Sequence, residues 1–234
     1  MDTRNRQRSE MIPFYQENIQ RQQDLIRQKK KIKAGLAAAR LAVFLFAAGL
    51  VYYFWPSVGS ACLSAGVCGI VLVVLIFTDA GKTGEIRNHE RLIRINRHET
   101  DALQQQLNEY DDGRVFANPL HAYASDLDLF GPASLFQFIS RCHADQSKKL
   151  LADQLLNPLP VQTIGEKQAA AKEVSDKVGW SQQFQSAAMA NPLTFQTEKR
   201  MKQWMQEQPG IFEKGYWKGI VILYSLISLS LLTL

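Results

Sequence analysis

Residues 35–77 read GLAAARLAVFLFAAGLVYYFWPSVGSACLSAGVCGIVLVVLIF, and this stretch decides the fold. It holds two apolar runs, residues 35–54 and 58–77, with Arg40 the only charge in either. Each run is about twenty residues long, enough for an α-helix to cross a hydrocarbon core of ~30 Å. The few residues around Trp55-Pro56 leave room only for a tight turn, so the pair reads as a transmembrane helical hairpin. Arg40 lies one turn inside the first run, where a long side chain can snorkel back to the interface. A cleaved signal peptide fits poorly, because the first run is too long for an h-region and a second follows at once. A third apolar run, residues 219–234, follows Tyr216, Trp217 and Lys218, which suit an interface anchor; it reads as a third span cut short at Leu234.

Charge supplies an orientation. Residues 1–33 carry nine Lys/Arg and four acids, an excess of five that equals the net charge of the whole chain. Lys82, Arg87, Arg91, Arg94 and Arg97 follow the second run, while the turn is uncharged. The positive-inside rule then puts both flanks in the cytoplasm and the turn outside, in the inner membrane. Arg27, Lys29, Lys30, Lys31 and Lys33 form a lipid-facing basic cluster, worth ~1 kcal/mol per residue against anionic headgroups. Residues 111–210 carry ten Lys/Arg against eleven acids, so that segment shows no electrostatic footprint for DNA. Cys62, Cys68 and Cys142 have no paired spacing, which points to a reducing compartment and to neither a zinc site nor a disulfide framework.

Gly81-Lys82-Thr83 copies the tail of a phosphate-binding loop, but Ile76 stands where the leading glycine is required. Beyond it, residues 85–110 lack proline and glycine and read as one long helix. Ile86, Ile93, Thr100 and Leu107 recur every seven residues, with Asn96, Leu103 and Tyr110 three beyond the last three, a coiled-coil-like stripe. Ile12, Ile19 and Ile26 repeat at the same interval, so residues 1–33 are expected to pack nearby as a helix.

Further helices are expected at residues 132–141 with Pro132 first, and at 145–156 burying Leu150, Leu151, Leu155 and Leu156. A capping box from Thr163 to Glu166 would open a helix running to Val178, followed by helices at 180–190 and 194–206. No β pattern occurs, and the fold class is all-α. The expected divisions are a basic helix (1–33), the hairpin (34–78), a coiled-coil-like helix (79–112), a helical domain (113–210) and a third span (211–234).

Chemistry is sparse. His89 and His98 are nine apart and do not share a face as a metal pair would. Cys142 and His143, taken as neighbours on a helix, would point about 100° apart, with no glycine-rich turn to form an oxyanion hole. Asp126 and Asp128 precede a helix start, where carboxylates cap N–H groups or favour the dipole. No catalytic, cofactor-binding or metal-ligating residue is therefore expected.

The segment NPLHAYASDLDLFGPASLFQFISRCHADQSKKLLADQLLNPL (residues 118–159), with IGEKQAAAKEV (164–174), resembles the helical core domain of the MutS family. It is most similar to the membrane-anchored MutS-related proteins of bacteria. The resemblance rests on D-L-D-L-F-G, S-L-F, L-L-A, L-L-N-P-L and an I-x-x-[RK]-Q-x-A segment. It assigns architectural roles to Asp126, Asp128, Phe130, Gly131, Leu135, Phe136, Arg141, Leu151, Pro158 and Gln168. The chain departs from the family at Ser140-Arg141-Cys142-His143, where N-R-T-x is usual, and it lacks a Phe-x-Glu mismatch-reading motif. By this resemblance the chain is a non-catalytic membrane anchor and helical connector of a MutS-related ATPase. ATP and Mg²⁺ belong to a C-terminal domain absent here. Membrane lipids and a homodimer through the helices are the implied partners. DNA follows from the resemblance alone and is not expected to bind this segment by itself. The alternative is a stand-alone membrane scaffold recruiting a partner through coiled-coil helices.

Overall fold

The computed structural model describes residues 3–53, 58–107, 110–206 and 216–232. Among these the regular elements are all helices, and no strand occurs. The expected turn at Trp55-Pro56 lies outside the described residues. The chain separates into two units, Met1–Pro192 and Leu193–Leu234.

Two long helices build the first unit's frame. Helix α1 spans Thr3–Tyr53 and α2 spans Val58–Leu103. The basic segment and the first apolar run are thus one helix of 51 residues, ~75 Å long at 1.5 Å per residue. The second run likewise continues into the heptad segment without a break. No proline stands at either junction, and Gly35, Gly81 and Gly84, each costing about 1 kcal/mol relative to Ala, do not end the helices as the environment changes from apolar to polar. Both helices are long and apolar enough to cross a membrane. Phe44, Phe46, Leu63, Ile70 and Phe77 lie exposed along the apolar half. A soluble monomer does not leave so continuous an apolar surface uncovered, and a core helix would bury it.

Beyond the apolar half the helices form an antiparallel stalk. Ile26, Ile86 and Ile93 are buried together with Ile19 packed against them, each contributing about 1.5–3 kcal/mol when fully buried. The two heptad stripes therefore face each other over these isoleucines; Ile12 and Leu103 are half-buried, and Thr100 and Asn96 are buried too. Their polarity is satisfied inside the helix: Thr100 Oγ1 donates to the Asn96 carbonyl and Asn96 Nδ2 to that of Leu92. Gln22 meets His89 Nδ1 at 2.6 Å across the stalk.

Helix α2 ends at Leu103, short of the expected Tyr110. Gln105 takes a left-handed conformation (φ 62°), and Gln137 Nε2 donates to the carbonyls of Leu107 and Tyr110. Tertiary hydrogen bonds have overridden local propensity here. The chain then coils into a head. Gly113 (φ 65°) leads into a 3₁₀ turn, Arg114–Phe116, and Phe116, Phe130 and Phe136 cluster with ring centroids 5.6–6.2 Å apart.

Helix α3 covers only Leu135–Ile139, so Pro132 is not its first residue. Ala133 is left-handed (φ 59°) and Ser134 is the cap, its hydroxyl accepting from Gln137 N. Asp126 and Asp128 are exposed and do not cap it. Helix α4 (Asp145–Leu156) has the expected bounds, but Ala152 is its buried residue and Leu150 is exposed. Its last carbonyls receive Tyr123 Oη and His121 Nε2.

Helix α5 (Val161–Ser175) starts a turn earlier than the capping box implies. Pro160 (φ −56°) precedes it, leaving Thr163 and Glu166 inside the helix, and no side chain caps it. Helix α6 (Val178–Ala190) packs on α2 through polar groups. Ser186, fully buried, donates to Asn88 Oδ1 and accepts from Arg91 Nε, while Asn96 and Gln182 exchange amide hydrogen bonds.

The second unit contains α7 (Phe195–Gln206), capped by Thr194 Oγ1 on Thr197 N, and α8 (Tyr216–Leu232). The division after Pro192 precedes the expected one at 210.

Candidate functional site

Charged side chains collect where the apolar half of the hairpin gives way to the stalk. Arg40, expected to snorkel, reaches across to Asp79 at 3.6 Å, and Lys33 approaches the same carboxylate at 3.8 Å. An ionised group bordering so apolar a surface is costly without a partner, which gives this pairing its physical reason. Lys33 Nζ also donates to Thr83 Oγ1 at 2.7 Å. One turn farther out, Glu85 binds both Lys29 and Lys82. Hydrogen bonds from Lys29, then Lys82, hold its carboxyl down at about 2. Of the five basic residues expected to face lipid, Lys29 and Lys33 therefore turn toward α2. Lys30, Lys31 and Arg27 remain exposed, Arg27 beside Asp24 at 3.4 Å. The collar keeps more bases than acids on its outer surface.

Gly81, Lys82 and Thr83 lie within continuous α2 helix, and Thr83 donates to the Asp79 carbonyl. A phosphate loop needs successive N–H groups turned outward, and here the helix consumes them.

The head holds a second cluster around a cavity of about 240 Å³. Helix α2 contributes Arg94 and His98, the following loop Tyr110 and Asp111, the α3–α4 loop Cys142 and His143, and α4 Lys148. At its wall Arg141 clamps Glu99 with Nε–Oε1 at 2.5 Å and Nη2–Oε2 at 2.9 Å. Its Nη1 donates to the carbonyls of Phe138 and Ser140, and the guanidinium lies 4.4 Å from the Tyr110 ring centroid. Burial, then the Glu99 charge, raise the Tyr110 phenol far above its ordinary value. Burial opposes ionisation of Asp111, but the Lys148 bond and the Gly113 N–H outweigh it and hold the carboxyl low.

Cys142 and His143 sit in this non-helical loop, not on a helix as the sequence reading assumed. Burial pushes the Cys142 thiol up, which disfavours the thiolate a nucleophile needs. Burial, with Arg94, Lys148 and His98 nearby, pushes His143 down, so its ring is neutral at physiological pH. Among the described residues, the Tyr110 hydroxyl and His143 Nε2 are buried without a hydrogen-bond partner. This is a polar joint between stalk and head.

No protein-family model, curated protein or solved structure matches the chain.

The residues singled out by family resemblance divide spatially. Phe130, Gly131, Leu135, Phe136 and Arg141 surround α3, and Gly131 N donates to the Asp112 carbonyl at 2.8 Å. Asp128 (φ 46°) serves through its backbone, accepting from Leu135 N, while Asp126 is exposed on the same turn. Leu151 is half-buried on α4; Pro158 and Gln168 are exposed and away from this turn. Sequence reasoning missed Glu99 and Asp79 as ion-pair partners. Asp79 had a usable signal, since Arg40 inside an apolar run requires an acid at a matching depth on the neighbouring helix.

Proposed function

We propose that the chain is a membrane anchor and rigid helical connector, the N-terminal part of a MutS-related ATPase acting at the cytoplasmic face of the inner membrane. The observation that carries the connector reading is the continuity of α2. One helix passes from the exposed apolar zone into the stalk and on to the head, which Arg141–Glu99 and Asn96–Gln182 fasten to it. The family assignment rests on the motif order in residues 118–174, whose Phe130, Phe136 and Arg141 organise the head. ATP hydrolysis would belong to a domain outside residues 1–234, and DNA contact would as well. The scaffold alternative is weaker, because Ile19 and Ile26 of one heptad stripe and Ile86 and Ile93 of the other pack against each other within one chain.

Topology is tested by a single cysteine at Ser57 with Cys62, Cys68 and Cys142 removed. Labelling by an impermeant reagent is expected only from outside, and labelling from the cytoplasmic side alone would reverse the orientation. Reading the gene past codon 234 tests the family assignment. A G-x-x-x-x-G-K-[ST] loop in a following α/β segment supports it, and its absence would leave the scaffold reading.

A further inference from the structure

Helix α7 carries a one-sided surface that nothing above uses. Thr197, Met201, Trp204 and Met205 fall at i, i+4, i+7 and i+8 and so share one face. Met201 and Met205 are exposed, and Trp204 is 73% exposed. Lys199, Lys202, Gln203 and Gln206 occupy the opposite side, Arg200 borders the tryptophan, and Phe195 lies off the stripe in the first turn. Glu198 is the helix's one acid and pairs with Lys202 at 2.6 Å. Lys199 and Arg200 are exposed and supply the excess positive charge. The same unit continues into α8, whose Ile220, Val221, Ile222, Leu223 and Leu226 are all exposed.

We propose that α7 lies flat in the headgroup layer of an anionic bilayer, with Met201, Trp204 and Met205 inserted and Lys199, Arg200 and Lys202 against the lipid phosphates. The argument is one of complementary chemistry. A tryptophan with an apolar body and one N–H suits the boundary between hydrocarbon and headgroups. Methionine fills a fluid, irregular surface without needing a fixed complementary shape. Basic residues flanking such a stripe are the pattern of interfacial helices. An apolar helix nine residues farther along the same unit gives the chain a second reason to be at a bilayer. The proposal rests on the membrane reading above but goes beyond it, since a spanning hairpin does not require α7 to touch lipid.

The test uses the full chain with its native cysteines replaced, reconstituted into nanodiscs of phosphatidylcholine alone or mixed with phosphatidylglycerol. Nitroxide labels are placed singly at positions 197–206, and accessibility to oxygen is compared with accessibility to a water-soluble nickel complex. In anionic discs the oxygen-to-nickel ratio should be several-fold higher at 201, 204 and 205 than at 199, 203 and 206. Replacing Lys199, Arg200 and Lys202 by Glu should abolish that contrast, each lost base costing roughly fivefold in partitioning, or ~1 kcal/mol.

A second readout keeps Trp204 itself. With Trp55, Trp180 and Trp217 changed to Phe, its fluorescence should be quenched by lipids brominated near the headgroup in anionic discs. Uniform nickel access along α7 would overturn the proposal. So would a stripe shielded from both reagents whatever the lipid, which would mean a protein surface covers it. Equal insertion into neutral and anionic discs would remove the headgroup-charge part. The Ser57 labelling result is independent of all these outcomes, so failure of α7 and failure of the anchor are distinguishable.

Discussion

Replacing Arg141 by Ala should loosen the head from the stalk, and the magnitude follows from what the side chain touches. It makes two hydrogen bonds to Glu99, two to the carbonyls of Phe138 and Ser140, and one face contact with Tyr110. Removing one partner of a fully buried ion pair costs ~3–5 kcal/mol, whereas an exposed pair is worth ~0–1 kcal/mol. Arg141 and Glu99 side chains are 29% and 21% exposed, between those limits but nearer the buried one. The cation–π contact adds ~0.5–1 kcal/mol. The expected cost is about 2–3 kcal/mol, which accelerates local opening roughly 30- to 150-fold at ~1.4 kcal/mol per decade. Hydrogen exchange of the α3 and 140–144 amides in the full chain reads this directly. Arg141→Lys should recover only part, because an ammonium cannot supply the two-pronged fork. The double variant Arg141→Met with Glu99→Leu should cost much less than the two singles summed, since neither leaves an unpaired charge. Exchange within threefold of wild type for Arg141→Ala, or additivity in that cycle, would refute the reasoning.

Gly113→Ala should destabilise the same region, because a Cβ there would lie 2.5 Å from Phe136 Cδ1 and φ is +65°. Left-handed strain costs ~1–2 kcal/mol and the displaced ring adds to it; Phe136→Leu in the same chain should relieve part, seen as slower α3 exchange than in Gly113→Ala alone. The α3–α4 loop should also open more easily on acidification. His143 is held below its ordinary value of 6.5 by burial, then by Arg94, Lys148 and His98. The unfolded loop therefore binds a proton before the folded one, and stability falls as pH drops through about 6.5. Exchange at the start of α4 measured between neutral and mildly acidic pH should show this slope, and His143→Gln should flatten it.

Much of the frame was legible because it depends on composition over long windows. Two twenty-residue apolar runs fix the hairpin, and a seven-residue repeat fixes which side of each stalk helix is buried. Even Asn96 and Thr100, polar members of that stripe, are buried as their register requires. What sequence could not supply were endings set by distant partners. Residues 104–110 have helical propensity, yet the Gln137 amide takes the carbonyls of Leu107 and Tyr110 and the helix stops. The Thr163–Glu166 box is sound as a local signal but loses to Pro160, which starts α5 a turn sooner. The head cavity was invisible for a different reason. Arg94, Tyr110, His143 and Lys148 come from four segments, and no spacing rule joins them.

The two joints of α2 differ in chemistry, and the difference bears on the proposed connector role. Toward α1 the stalk is held by Ile19, Ile26, Ile86 and Ile93, an apolar seam that is strong but tolerant of small shifts. Toward α6 the contact is a polar set around the buried Asn96 and Ser186, in which Asn88, Arg91 and Asn96 meet Gln182, Gln183 and Ser186. Each of these bonds fits only one alignment, and a slip along the helix would leave Asn96, 1% exposed, with an unmet amide. Such a contact adds little net stability but specifies register, much as a single buried Asn does in a coiled coil. Displacement of the head along α2 is therefore penalised more sharply than bending of the stalk. In the proposed connector role, motion imposed on the head would be carried into α2 as a unit and reach the Arg40–Asp79 pair at the end of the apolar half before being absorbed by slippage. The residue types on the two faces of α2 thus give it one firm grip and one compliant seam, the division that the proposed connector role would use.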